Sequence, residues 1–304
     1  MTEWAEQLLS NGNEAASEEV RFSYSRPEQP WLNRETIRVI ERLSGQRHLE
    51  RLYREWARRP VPGENIFAAA MRLMKIEFDV DSAAVSRVPR SGPVLFVANH
   101  PFGVIDGLAV GHLTTTVRPD TKIMTHSLLC QAPEAREYLL PVDFGGTPEA
   151  QQTSLLTRRR TMDWLAAGHA VAVFPAGGVS TAQHPFSGPA LDSPWHPFVG
   201  KLARMPGVTT VPLFFHGQNS RLFQLMSHVH YALRIALLFR ETVRRIGKPL
   251  KISVGEPIRS GELSGLATRD DIVRTLRQRT LSLAGPNGPD PDLAFRWPSH
   301  IGFD

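Results

Sequence analysis

A single cysteine, Cys130, excludes an intramolecular disulfide in this 304-residue chain and suits a reducing compartment. No uncharged run reaches the ~18 residues of a spanning helix, so any contact with a bilayer is expected at its surface. The opening MTEWAEQLLSNGNEAASEE is acidic and lacks a basic stretch leading into an apolar core, so it does not read as a secretory signal. The cytoplasm is the expected compartment. Gly-x-Ser-x-Gly, the nucleophile turn of serine hydrolases, is absent. Eleven histidines include the pair His228 and His230, yet none joins a third ligand at a standard zinc spacing, so no metal is expected. Zinc-finger cysteines and an aromatic RNA-binding signature are also missing, which sets nucleic acid aside. No segment repeats with a solenoid period.

What is present is ordinary globular composition, 41% hydrophobic and 21% charged, enough for one large domain or two small ones. The net charge of +5 and pI near 9.7 point toward anionic partners, with an anionic membrane surface foremost. Residues 1–30 read as a loose polar arm. Residues 31–74 read as a helical, basic segment: over Trp31 to Arg59, Leu49, Leu52, Tyr53 and Trp56 form one stripe and Arg47, Arg51, Arg54 and Arg58 another. Such a helix either lies in a lipid interface or packs its apolar stripe on its own domain.

Residues 75–284 alternate. Strands are predicted over Lys75–Asp81, Pro93–Ala98, Lys122–Thr125, Leu139–Phe144, Ala170–Phe174, Thr209–Phe215 and Leu250–Val254, and helices over Thr147–Ala167, Trp195–Arg204, Arg221–Arg245 and Thr268–Leu283. This order predicts a three-layer α/β domain with a mixed, mostly parallel sheet. Within Arg221–Arg245 the run LRIALLF is apolar around much of its circumference, which fits a core helix or the wall of an acyl-chain groove. Pro185, Pro194 and Pro197 predict a long irregular segment over the site. Residues 285–304, containing GPNGPDPD, are predicted irregular.

Three strand ends carry the chemistry. The first, VLFVANHPFGVIDG (Val94–Gly107), delivers His100 at the carboxyl end of an apolar strand, with Asp106 six residues on. Six residues turn a helix by about 240°, so a turn built from Pro101 and Gly103 must separate the two, with a helix starting near Val104 and Asn99 bonded to nearby backbone. An imidazole oriented by a carboxylate is the usual general base at neutral pH. The second, VAVFPAGGVS (Val171–Ser180), places Gly177 and Gly178 where backbone N–H groups could cradle a phosphate or an oxyanion. By itself this pair is also compatible with a plain tight turn. The third, VPLFFHGQNS (Val211–Ser220), ends in polar residues. The tripeptide HPF recurs at His184 and His196, but neither follows an apolar strand, and both read as loop residues.

Together these blocks resemble the glycerolipid (lysophospholipid) acyltransferase superfamily: NHPFGVIDG is similar to its histidine–aspartate motif, FPAGGVS to its FPEGTRS block and VPLFFHG to its late Val-Pro strand. The resemblance runs from about Lys75 to Pro257. Its departures are specific. Five residues stand between His and Asp where the family has four, with Gly103 the extra one, and Ala176 and Val179 replace the Glu and Arg that in the family help hold a phosphorylated acceptor. The pattern is most similar to the bacterial branch labelled as hemolysins, which includes ornithine-lipid acyltransferases. The resemblance implies transfer of a fatty acyl group from a thioester donor, acyl-CoA or acyl carrier protein, to a hydroxyl of a lysolipid or aminolipid-type acceptor. It implies His100 as general base with Asp106 assisting, no cofactor, and work on the inner face of the cytoplasmic membrane. It also implies substrate contacts among Asn99, Gly103, Phe174, Pro175, Gly177, Gly178 and Ser180. Among the basic residues, Lys122 and Arg204 are candidate anion binders for the donor's phosphates or the acceptor headgroup, each of which also reads as a solvated surface charge. The alternative is a catalytically inactive lipid-binding protein of the same fold.

Overall fold

The computed structural model describes residues 22, 23, 25, 31–126, 129–142, 148–286, 288–298 and 301. Most of the expected N-terminal arm lies outside them, as do Asp143, Phe144 and Thr147 at the ends of predicted elements.

The helix expected over residues 31–59 is two: α1 (Trp31–Leu43) and α2 (Gln46–Arg58). Gly45 separates them at φ 98°, and a Cβ there would lie 2.7 Å from Val243 Cγ2, so the break is also a close approach to a later helix. Then come α3 (Ile66–Leu73), β1 (Phe78–Val80), α4 (Ser82–Ser86), β2 (Val94–Ala98), α5 (Val104–Val117), β3 (Lys122–His126) and β4 (Leu139–Val142). The chain continues through α6 (Pro148–Ala166), β5 (Ala170–Val173), β6 (Thr181–His184), β7 (Ser187–Leu191), α7 (Phe198–Ala203), β8 (Thr209–Phe215), α8 (Arg221–Val229), α9 (Tyr231–Ala236) and α10 (Leu238–Arg245). It closes with β9 (Leu250–Val254), β10 (Ile258–Arg259) and α11 (Arg269–Leu281).

The main sheet runs β1-β9-β8-β2-β5-β3-β4, with β10 added to β8. β2 pairs parallel with both β5 and β8, and only β9 and β10 run antiparallel to β8. The sheet is therefore mixed and mostly parallel, as the alternation of elements requires. Its two faces divide the core: Val94, Phe96 and Ala98 of β2 meet α3 and α5, while Leu95 and Val97 meet side chains of α7 and α11. All five β2 residues are buried, as expected of a parallel strand covered on both faces.

Three predictions are corrected. The segment around Pro185 is not irregular: Thr181–His184 and Ser187–Leu191 form an antiparallel hairpin with Pro185 and Phe186 at its turn. The helix expected over Arg221–Arg245 breaks at His230, which is extended (φ −161°) and whose ring accepts the Ala232 N–H at 3.1 Å, and again at Leu237. The first strand shortens because Lys75 turns the chain at φ 51°.

Candidate active site

The three blocks converge because their strands are neighbours. β5, β2 and β8 lie side by side and parallel, so Phe174, His100 and His216 leave the sheet at the same carboxyl edge. Open α/β sheets bind ligands at that edge. Asn99 clasps two of these strands: its Nδ2 donates to the Phe215 carbonyl at 3.0 Å and its Oδ1 accepts the Phe215 N–H at 2.7 Å. Both amide atoms are thus engaged by backbone, which makes Asn99 a tie between β2 and β8.

Past His100 the chain turns through Pro101–Gly103 into α5, as the spacing demands. Gly103 caps the helix at φ 82°, ψ −110°, and a Cβ there would meet Leu238 Cδ2 at 3.0 Å and Val179 Cγ2 at 3.2 Å. No other residue suits both the dihedral and the space. The turn aims its N–H groups at Asp106, whose Oδ2 accepts from Phe102 at 2.7 Å and from Gly103 at 2.9 Å. His100 Nδ1 lies 3.0 Å from the same oxygen. Asp106 is wholly buried and its Oδ1 has no hydrogen-bond partner in the structure. Burial pushes its carboxyl up, against the pull of His100 and the two N–H groups. The imidazole stacks on Phe174, centroids 4.2 Å apart, with its side chain 17% exposed. With Nδ1 facing the carboxylate, Nε2 is the nitrogen left for a substrate.

The second block folds against the first. Ser180 N–H donates to the His100 carbonyl at 2.8 Å, and Ser180 Oγ donates to Asp192 Oδ1 at 2.5 Å. Gly177 adopts φ 69° and its own N–H closes a tight turn onto the Phe174 carbonyl at 3.0 Å. That N–H is therefore already engaged, which leaves any anion binding in this block to neighbouring N–H groups. The Pro175 carbonyl accepts the His196 N–H at 2.9 Å, so one of the repeated HPF tripeptides does reach the block.

Two of the candidate cations lie elsewhere. Lys122 starts β3 level with Val171, hence at the amino edge, where its Nζ sits 4.3 Å from the Trp164 ring and burial pulls its pKa down. Arg204 is exposed at the end of α7, before β8 begins, at the amino edge as well. Three residues that the sequence did not suggest bear on the site. Asp192 accepts N–H and O–H groups from both motif blocks. Arg245 lies 4.7 Å from the Phe102 ring, beside the turn that holds Asp106. Arg234, fully buried, is bonded to Thr181 Oγ1 at 2.5 Å, Ser227 Oγ at 2.8 Å and the Val179 carbonyl, and burial lowers its pKa to about 10. Only Arg234 carried a signal, as the one charge inside ALRIALLF.

Beside α5 lies an apolar cavity of about 100 Å³. Leu49, Tyr53 and Trp56 of α2, Phe67 of α3, Val104 of α5 and Phe239 of α10 line it. The stripe of α2 and Phe239, the last residue of the apolar run LRIALLF, thus both serve the interior. Tyr53 fastens α2 over the cavity by donating to Glu134 Oε2 at 2.7 Å. Among the described residues no helix is long and apolar enough to cross a membrane.

A family model described as acyltransferase matches residues 31–286. A lyso-glycine lipid O-acyltransferase of Phocaeicola vulgatus is 25% identical over 204 residues, covering 64% of this chain and 69% of that protein. Another of the same name from Bacteroides thetaiotaomicron is 26% identical over 204 residues, covering 64% of this chain and 71% of that protein. Among solved structures, the 1-acyl-sn-glycerophosphate (LPA) acyltransferase PlsC of Thermotoga maritima aligns with a TM-score of 0.47 and 14% identity, over 82% of this chain and 93% of that one. Matched by the family model over most of its length, the chain belongs to this acyltransferase family.

Proposed function

We propose that this acyltransferase moves a fatty acyl group from a thioester, acyl-CoA or acyl carrier protein, to the hydroxyl of an aminolipid-type lysolipid, a reading supported by two relatives that are named for a lyso-glycine lipid. The contact of His100 Nδ1 with the buried Asp106 carboxylate at the carboxyl edge carries the reading. Nε2 takes the proton of the acceptor hydroxyl as its oxygen attacks the thioester carbonyl, and Asp106 stabilises the imidazolium that forms. The tetrahedral oxyanion collapses, the C–S bond breaks, and the departing thiolate takes the proton back from His100. No acyl-enzyme is needed. Backbone N–H groups after Gly177 receive the oxyanion in this reading, a role usually worth ~3 kcal/mol. Ala176 and Val179, neutral where the wider superfamily carries Glu and Arg, favour an acceptor without a phosphate.

The apolar cavity lined in part by Val104, the residue that follows Gly103, supports a chain-binding role. The reading extends to the cytoplasmic membrane face. Leu32 (67% exposed), Val39 and Leu43 (83% exposed) recur on one face of α1, and residues 31–59 hold eight arginines against four glutamates.

The test is thioester consumption by purified protein with and without an N-acyl amino-acid lysolipid. Wild type is expected to release thiol only when the acceptor is present, and His100→Ala to lose 10²-fold or more of that rate, about the contribution of a general base, while keeping its folded spectrum. Near wild-type turnover by His100→Ala refutes the mechanism.

A further inference from the structure

His100 is held by its backbone as well as by its ring. Its carbonyl accepts the Ser180 N–H at 2.8 Å and its N–H donates to Asp192 Oδ1 at 3.3 Å. The same Asp192 oxygen accepts the Ser180 hydroxyl at 2.5 Å, while Oδ2 accepts the Trp195 indole N–H at 3.0 Å. Asp192 is 2% exposed, so its carboxylate is stabilised by these donors instead of by water. A loop following the β6–β7 hairpin thereby joins the first motif block to the second.

Asp192 is itself tied from behind. Its carbonyl accepts the Phe295 N–H at 3.0 Å, and Phe295, 1% exposed, packs edge-on against His228 and Trp297. Arg277 of α11 bonds the Pro291 and Leu293 carbonyls of the same stretch. Residues 290–297 lie beyond residue 286, where the family match stops. They have no helix or strand, yet they seat the residue that seats His100.

We propose that Asp192 is a positioning residue for His100, acting through the histidine's backbone N–H, with the segment around Phe295 holding Asp192 in place. The inference rests on the reading of His100 as general base. Displacing a general base by a fraction of an ångström slows the chemical step without weakening substrate binding.

The experiment compares the full-length wild type with Asp192→Ala, Asp192→Ser and, as a control, Trp195→Phe, which removes a donor from Oδ2 and leaves the His100 bond. For folded Asp192 variants kcat is expected to fall ~10²-fold, with KM for donor and acceptor within about twofold, and the ring resonances of His100 to shift. Trp195→Phe is expected to melt lower while its kcat stays within about threefold of wild type. Folded Asp192 variants with wild-type kcat and an unmoved His100 ring signal overturn the proposal, as does a Trp195→Phe that loses as much kcat as Asp192→Ala. Should neither Asp192 variant fold, the wild-type protein decides: the His100 amide is expected to exchange with solvent at least tenfold slower than amides of exposed turns, and an unprotected amide overturns the assignment. If His100→Ala retains turnover while the amide is protected, the base assignment fails and the Asp192 tie to His100 survives.

Discussion

Replacing Asp106 with Asn should make the protein more stable at neutral pH and nearly inactive. The carboxylate is completely buried, and two backbone N–H groups and one imidazole favour its charged form through a single oxygen. Burial nevertheless wins, and the carboxyl is displaced upward from its ordinary 3.8. A carboxyl whose folded pKa exceeds its unfolded value destabilises the fold at every pH above the upper of the two, and the cost vanishes as pH falls below the lower. Asp106→Asn is therefore expected to melt higher than wild type at pH 7, each kcal/mol of relieved burial cost raising the melting temperature of a domain of this size by roughly 2–4 °C. Asn keeps one oxygen for the Phe102 and Gly103 N–H groups, so the turn survives the exchange. Thermal melts of both proteins from pH 7 to below pH 4 give the readout, and the gap should close as the wild-type carboxyl takes its proton. Turnover should drop ~10²-fold or more, because a neutral amide does not stabilise an imidazolium. An equal or lower melting temperature for Asp106→Asn at pH 7, or a gap that persists in acid, refutes the reasoning.

Asn99→Ala leaves the Phe215 N–H and carbonyl unpaired in the core. It should cost about 2–5 kcal/mol, seen as a lower denaturation midpoint, and a stability unchanged within error would show that β2 and β8 need no clasp. Gly103→Ala forces a side chain onto φ 82° against Leu238 and Val179. About 1–3 kcal/mol of stability should be lost, along with most activity, since the same residue supplies an N–H to Asp106; a variant with wild-type turnover contradicts this. Changing Arg47, Arg51 and Arg58 together to Gln should weaken partition onto vesicles of anionic lipid by roughly 10²-fold, at about 1 kcal/mol for each arginine near the surface. Unaltered co-sedimentation would assign these arginines to the solvent.

Much of this architecture was legible because it rests on local signals. The apolar runs ending at Ala98, Val173 and Phe215 gave the three central strands, and the His100–Asp106 spacing required a turn and a helix start near Val104, which is where α5 begins. What escaped the sequence depends on tertiary partners. Helices 31–59 and 221–245 have unbroken periodicity, and their breaks at Gly45 and His230 come from packing against Val243 and from a side-chain cap. The hairpin at Thr181–Leu191 was hidden by its prolines and polar composition. Charge alone misplaced Lys122 and Arg204, because a cation's position along a strand or helix decides which edge of the sheet it reaches. Asp192 was invisible for the reverse reason: nothing near it in sequence reveals that its partners lie about ninety residues upstream and a hundred downstream.

The turn from Pro101 to Asp106 has one further consequence. In the proposed mechanism base, carboxylate and the amides that steady the carboxylate all fall within seven consecutive residues, which makes that proton-handling unit nearly self-contained. Divergence in the surrounding walls is therefore free to alter which lipid is admitted without rebuilding the chemistry that acts on it.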